Sequence, residues 1–205
     1  MLILENIKKS YKNLTVLENL NLELNDHSII YIKGKNGCGK STLLKIISGI
    51  LKADGGSIKT NYKNIGALIE NPSFIEDQTL IKNLKFLFNI KSNFNYEYVK
   101  ELADAFDLEI DSKIKMKNYS VGMRQKAGLI QAIMEDQDLI LLDEPTRGLD
   151  DESILSFTNI ISNMKAKTII ICSHDEIEDI NFDKKLELVN GKLEKTIDFS
   201  YLTYY

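Results

Sequence analysis

Residues 34–42, Gly34-Lys35-Asn36-Gly37-Cys38-Gly39-Lys40-Ser41-Thr42, decide the reading of this chain. They fit the pattern G-x-x-x-x-G-K-[S/T], with a third glycine inside it. An apolar run, Ser28 to Ile32, precedes the motif, and a helical pattern, Ser41 to Ser48, follows it. A buried strand feeding a tight loop that opens a helix is the setting in which such a loop cradles phosphate. Glycines let successive backbone N–H groups curl around an anion, and the helix N-terminus adds partial positive charge. In that setting Lys40 reaches the β- and γ-phosphates and the Ser41 hydroxyl ligates Mg²⁺. The sequence therefore predicts a nucleoside triphosphate site, formed by Gly34, Asn36, Gly37, Cys38, Gly39, Lys40, Ser41 and Thr42.

Outward from the loop, the chain reads as an interrupted α/β core. Strands are expected over Met1 to Lys8 and Val16 to Leu24, then the loop strand and its helix, with Gly49 as C-cap. Asp54-Gly55-Gly56 reads as a turn and Ile65 to Ile69 as a strand. From Phe74 to about Met134 the pattern becomes helical, with Thr79 and Asn95 as N-caps and Ile81, Leu84, Leu87 and Phe88 on one face. A strand over Leu139 to Leu142, a helix over Glu152 to Met164 and a strand over Thr168 to Cys172 resume the core. A hairpin closes it, Leu186 to Val189 and Leu193 to Ile197 around the Asn190-Gly191 turn. The reading is one domain over 1–205, with an α/β core from 1–73 and 135–205 and a helical subdomain of 74–134 inserted in it.

Bulk properties narrow the classes. The chain has 205 residues, 43% of them hydrophobic and 27% charged, and a net charge of −4. That is ordinary for a globular protein and gives no basic footprint for nucleic acid, so none is expected as a partner. The opening MLILENIKKSYKN is charged from Glu5 on and has no small-residue cleavage site, so no signal peptide is expected, and no apolar run nears the ~18 residues of a membrane span. A cytoplasmic protein is expected, reaching a membrane only through a partner. Two cysteines argue against a disulfide framework or zinc site. Cys38 reads as a small residue in a permissive loop position, with a reactive thiol as the alternative, and Cys172 as a buried strand residue.

A second constellation lies about 100 residues downstream of the phosphate loop. Asp138 to Glu144 is an apolar strand ending in two carboxylates. Asp143, at a strand end beside the loop, suits Mg²⁺ held through its water shell, and Glu144 suits activation or orientation of the lytic water. Alone, paired acids could equally be a helix cap and a solvated turn.

Here the sequence resembles a known family. Asp143-Glu144-Pro145-Thr146-Arg147-Gly148-Leu149-Asp150 is similar to the Walker B and D-loop run of ABC-type ATPases. Tyr119-Ser120-Val121-Gly122-Met123-Arg124-Gln125 resembles their signature motif, and Cys172-Ser173-His174-Asp175 their H-loop, with Tyr11 at the A-loop position. The resemblance implies a P-loop NTPase core of ABC type, with an N-terminal antiparallel β subdomain and the inserted helical subdomain. It implies Tyr11 stacked on adenine, an exposed strand-edge tyrosine being the other reading. His174 would meet the γ-phosphate and attacking water, or merely cap its turn. Ser120 and Gly122, opening a helix, would grip the γ-phosphate held by a second copy or a paralogous subunit.

Two departures narrow the resemblance. Glu70, in Ala67-Leu68-Ile69-Glu70-Asn71-Pro72, stands where most members carry the Q-loop glutamine, and the signature carries Val121 and Met123. This combination resembles bacitracin- and lantibiotic-type self-protection exporters. It implies Glu70 as a Mg²⁺ ligand, against an ordinary acid at a strand end. It further implies an ATP-hydrolysing, dimeric subunit, peripheral on the inner face of the plasma membrane, that drives export of a peptide antibiotic or small amphiphile through a polytopic permease. A non-transport ABC ATPase acting as a nucleotide-dependent switch is the alternative.

Overall fold

The computed structural model describes residues 1–88 and 94–195. Its centre is a six-stranded sheet of β3 (Ile29–Lys33), β5 (Ile65–Leu68), β6 (Leu139–Asp143), β7 (Thr168–Ser173), β8 (Lys184–Val189) and β9 (Lys192–Lys195), in the order β5-β6-β7-β3-β8-β9. All neighbours are parallel except β8 and β9, which form the closing hairpin. Its Asn190 and Gly191 both have positive φ, 47° and 74°, as a type I′ turn requires. Residues 196 and 197, expected to extend this hairpin, lie outside the described residues.

The central strands are apolar on both faces because both faces are covered. Ile30, Ile32, Leu139, Leu141, Ile170, Cys172, Leu186 and Leu188 share one core with Leu43, Leu44, Ile46 and Ile47 of α1 (Lys40–Ile47) and with the N-terminal sheet. The alternate residues Ile29, Tyr31, Ile140, Leu142, Ile169 and Ile171 point into a second core. There they meet Phe157 and Ile161 of α5 (Asp151–Asn163), together with Ala127, Leu129 and Ile130 of α4 (Val121–Ile133). Burying each such Leu or Ile contributes about 1.5–3 kcal/mol.

The N-terminal sheet holds β1 (Leu2–Tyr11) between β2 (Leu14–Leu24) and β4 (Gly55–Thr60), all antiparallel. Strand β4 corrects the turn expected at Asp54-Gly55-Gly56. Five of its six residues are exposed, so it has no apolar alternation to read, and its pairing to β1 holds it. Gly56, at φ 90°, has no room for a side chain, since a Cβ would lie 2.4 Å from the Glu5 carbonyl.

Between β5 and β6 run α2 (Leu80–Phe88), α3 (Tyr96–Ala105) and α4. Leu84 and Phe88 are buried, and Ile81 and Leu87 pack against the same core. Asn95 caps α3, accepting from the Tyr98 N–H at 3.2 Å. The Thr79 carbonyl takes the first bonds of α2, from the Asn83 N–H and Nδ2 at 3.1 and 3.0 Å. Helix α4 lies directly on β5: a Cβ on Gly66 would come within 1.9 Å of the Ala132 carbonyl. No helix among the described residues is long and apolar enough to cross a membrane.

Candidate active site

Four parallel strands deliver the site. Their carboxyl ends lie side by side, and each hands its chemistry to the loop that follows, where α/β sheets bind ligands. Strand β3 leads into the glycine loop, β5 into Glu70, β6 ends at Asp143 before Glu144, and β7 ends at Ser173 before His174. The register fixes this juxtaposition, with Lys33 opposite Ser173 and Asp143 opposite Cys172.

In the loop, Gly37 and Gly39 have φ of 80° and 113°, which side chains disfavour. Gly34 packs on Cys38, whose Sγ would lie 2.6 Å from a Cβ there. Burial pushes the Cys38 thiol above its ordinary pKa, which argues for packing over reactivity at that position. Cys172 is buried in β7, as expected. Lys40 is 5% exposed, and its ammonium donates to the carbonyls of Gly34 at 2.6 Å and Lys35 at 3.3 Å. Its third neighbour is Glu144 Oε1 at 3.1 Å.

Glu144 is the hub. Its backbone, at φ 48°, is pinned by its own N–H donating to the Cys172 carbonyl at 2.8 Å and by Gln125 Nε2 donating to its carbonyl at 3.0 Å. Its carboxylate meets Lys40, accepts from Ser173 Oγ at 3.0 Å and from the His174 N–H at 3.1 Å, and lies 2.8 Å from His174 Nδ1. Burial alone would raise its pKa, but the bonds from His174, Lys40 and Ser173 outweigh that and hold it below the ordinary carboxylate value. Asp143 behaves oppositely. At 5% exposure its pKa is raised by burial, against the Ser41 hydroxyl, which donates to Oδ2 at 2.5 Å, and the backbone N–H of Glu70. A buried carboxylate beside a hydroxyl, with no nearby cation strong enough to cancel the burial cost, is a fitting hard-oxygen donor set for Mg²⁺.

These groups line a cavity of about 490 Å³ that brings together Asn36, Gly37, Gly39, Lys40, Ser41, Thr42, Glu70, Asp143 and Glu144. His174 opens on an adjoining space, shared with Asn36 and Glu144. Tyr11 is 47% exposed and does not line this cavity, where Val16 takes a place on the wall instead. Nor do Ser120 and Gly122. Ser120 caps α4, accepting from the Met123 N–H at 3.2 Å, and Gly122 faces the Gly148 carbonyl, 2.8 Å from where a Cβ would be.

Sequence reasoning missed Gln125. Its Nε2 also donates to the Pro145 carbonyl at 3.0 Å, tying the signature helix to the acidic strand end. It lies inside the quoted signature run, but its buried, inward orientation follows from α4 packing and is not written in that run.

Comparison with known proteins gives the family. The ABC transporter family profile matches residues 17–147. An ABC transporter ATP-binding protein of Bacillus subtilis, YybJ, is 32% identical over 92% of this chain and 93% of its own length. The lantibiotic transport ATP-binding protein SrtF of Streptococcus pyogenes is 31% identical over 88% of this chain and 83% of its own. The bacitracin transport ATP-binding protein BcrA of Enterococcus faecalis is 32% identical over 86% of this chain, which spans 62% of that protein. Among solved structures, the dimeric cassette MJ0796 superposes with a TM-score of 0.86 at 22% identity, covering 95% of this chain and 97% of that one. A post-hydrolysis dimer of the same cassette, bound to ADP and Pi, gives 0.84 at 23% identity over the same shares. This chain belongs to the ABC transporter ATP-binding proteins, a family of nucleotide-binding ATPases.

Proposed function

We propose that two copies of this chain, or one copy and a paralogue, close on two ATP molecules and drive export of a peptide antibiotic or other small amphiphile through a separate polytopic permease. The observation that carries the composite site is the separation of its halves. The glycine loop, Asp143 and Glu144 share one cavity, while Ser120 and Gly122 of the same chain lie outside its lining. On this proposal the start of α4, capped by the Ser120 hydroxyl, has its anion supplied by a facing protomer. The names of SrtF and BcrA, a lantibiotic and a bacitracin transport ATP-binding protein, support a transport role, and on this proposal the chain sits peripherally on the inner face of the plasma membrane.

Within the site, Lys40 exchanges its loop carbonyls and Glu144 for the β- and γ-phosphates. Ser41, Asp143 and Glu70 would hold Mg²⁺, which when bound neutralises phosphate charge. Glu144, released from Lys40, orients and deprotonates the attacking water, and His174 positions the γ-phosphate. Tyr11 stacks on the base. Residues 74–134 form the signature lobe, whose exposed Ile75 and Phe86, at 46% and 58%, offer apolar surface to the permease.

Affinity purification from detergent-solubilised native membranes tests the transport reading. Stoichiometric recovery of a polytopic membrane protein supports it, and consistent recovery with a soluble partner alone contradicts it in favour of a switch.

A further inference from the structure

Three of the five charged side chains that line the cavity are acids, Glu70, Asp143 and Glu144, against Lys40 and Arg147. The site must nevertheless accept a polyanion. Lys40 answers Glu144, and Ser41 with a backbone N–H answers Asp143. Glu70 has a different partner. Lys45 Nζ lies 2.6 Å from Glu70 Oε1, so the side chain five positions along the same helix that carries Lys40 and Ser41 reaches across to the loop after β5. Glu70 lines the cavity and Lys45 does not, the two side chains being 57% and 29% exposed. Glu70 itself is held at φ 59°, an uncommon conformation for a residue with a side chain. Its carboxylate is the more exposed partner of the pair.

We propose that Lys45 is the charge partner that lets a glutamate stand at position 70. It neutralises Glu70 while the site is metal-free, so that the nucleotide's charge is not repelled, and yields the carboxylate when Mg²⁺ enters. The first half rests on the ion pair alone, and the second rests on the reading of Glu70 as a Mg²⁺ ligand. A lysine has the required properties, being a point charge on a flexible stem that can leave one carboxylate oxygen without breaking a bidentate fork. Without it, Glu70 faces the triphosphate stripped of the cation that now lies 2.6 Å away.

The test is a double-mutant cycle read by binding of a fluorescent ATP analogue, with no turnover required. In EDTA, Lys45→Met should weaken nucleotide affinity by about two- to fivefold, the scale of one exposed ion pair. In the Glu70→Gln background the same substitution should have no effect. Lys45→Gln, polar at a half-buried position, serves as a second variant should Lys45→Met not fold. An equal loss in both backgrounds would overturn the proposal, since Lys45 would then act on nucleotide directly. Titrating Mg²⁺ into the same complexes addresses the other half. Lys45→Met should lower the Mg²⁺ midpoint and Glu70→Gln should raise it. If the cycle couples in EDTA but Glu70→Gln leaves the midpoint unchanged, charge pairing stands and the ligand reading of Glu70 fails.

Discussion

Replacing Glu144 with glutamine should move apo stability and nucleotide affinity in opposite directions. In the nucleotide-free chain the carboxylate holds Lys40 at 3.1 Å and accepts from Ser173, while sitting against His174. Glutamine keeps one oxygen and the shape but loses the charge that faces a lysine 5% exposed. Breaking a buried pair outright costs about 3–5 kcal/mol. Here Lys40 keeps its bonds to the Gly34 and Lys35 carbonyls, so the expected cost is about 1–2 kcal/mol. For a domain of this size that is a fall of about 2–8 °C in Tm. Lys40 is then already free of its acid partner and the cavity carries one negative charge fewer, so ATP should bind more tightly while turnover is lost. Thermal unfolding of the apo protein and titration with a fluorescent ATP analogue measure both. An unchanged or higher apo Tm together with unchanged or weaker ATP binding would refute the assignment of Glu144 as the apo partner of Lys40.

The pH dependence of the same pair follows from the depressed Glu144 pKa. Its stabilisation is complete above the ordinary value of 4.5 and is lost as pH falls through the lower folded value, so wild-type and Glu144→Gln Tm curves should converge on acidification. A gap that stays constant from neutral to acid pH would contradict this. Gly66→Ala places a Cβ 1.9 Å from the Ala132 carbonyl and should cost about 3 kcal/mol or more, or prevent folding; wild-type denaturant stability in that variant would show that α4 does not lie directly on β5. Tyr11→Ala should weaken ATP binding by about 1–3 kcal/mol if the ring stacks on the base. Unchanged affinity would leave Tyr11 as an exposed strand-edge residue near Lys9.

The sequence is most informative where backbone chemistry is strict. The glycine loop needs positive φ at Gly37 and Gly39, the hairpin needs it at Asn190 and Gly191, and the β3, β6 and β7 strands must be apolar on both faces. Each requirement leaves a mark on residue type. Strand β4 leaves none, because an exposed edge strand buries no alternating face. Gln125 and the Lys45–Glu70 pair were equally illegible. Their partners come from other elements, and only the packing of α4 and α1 against the strand ends brings them within reach. The same holds for Arg124, whose guanidinium grips both Glu76 oxygens at 2.6 and 2.9 Å and so fastens the loop after Glu70 to the start of the signature helix.

The composite site is tested most directly by mixing two disabled proteins. Lys40→Ala removes the phosphate grip, and Gly122→Asp places a like charge at the signature helix start together with a Cβ 2.8 Å from the Gly148 carbonyl. Each variant alone should be inactive. Mixed in equal amounts, half of the dimers would carry one intact site of two, which predicts about a quarter of wild-type ATP turnover. Full turnover by Gly122→Asp alone, or none in the mixture despite dimer formation, would contradict a triphosphate shared between two chains.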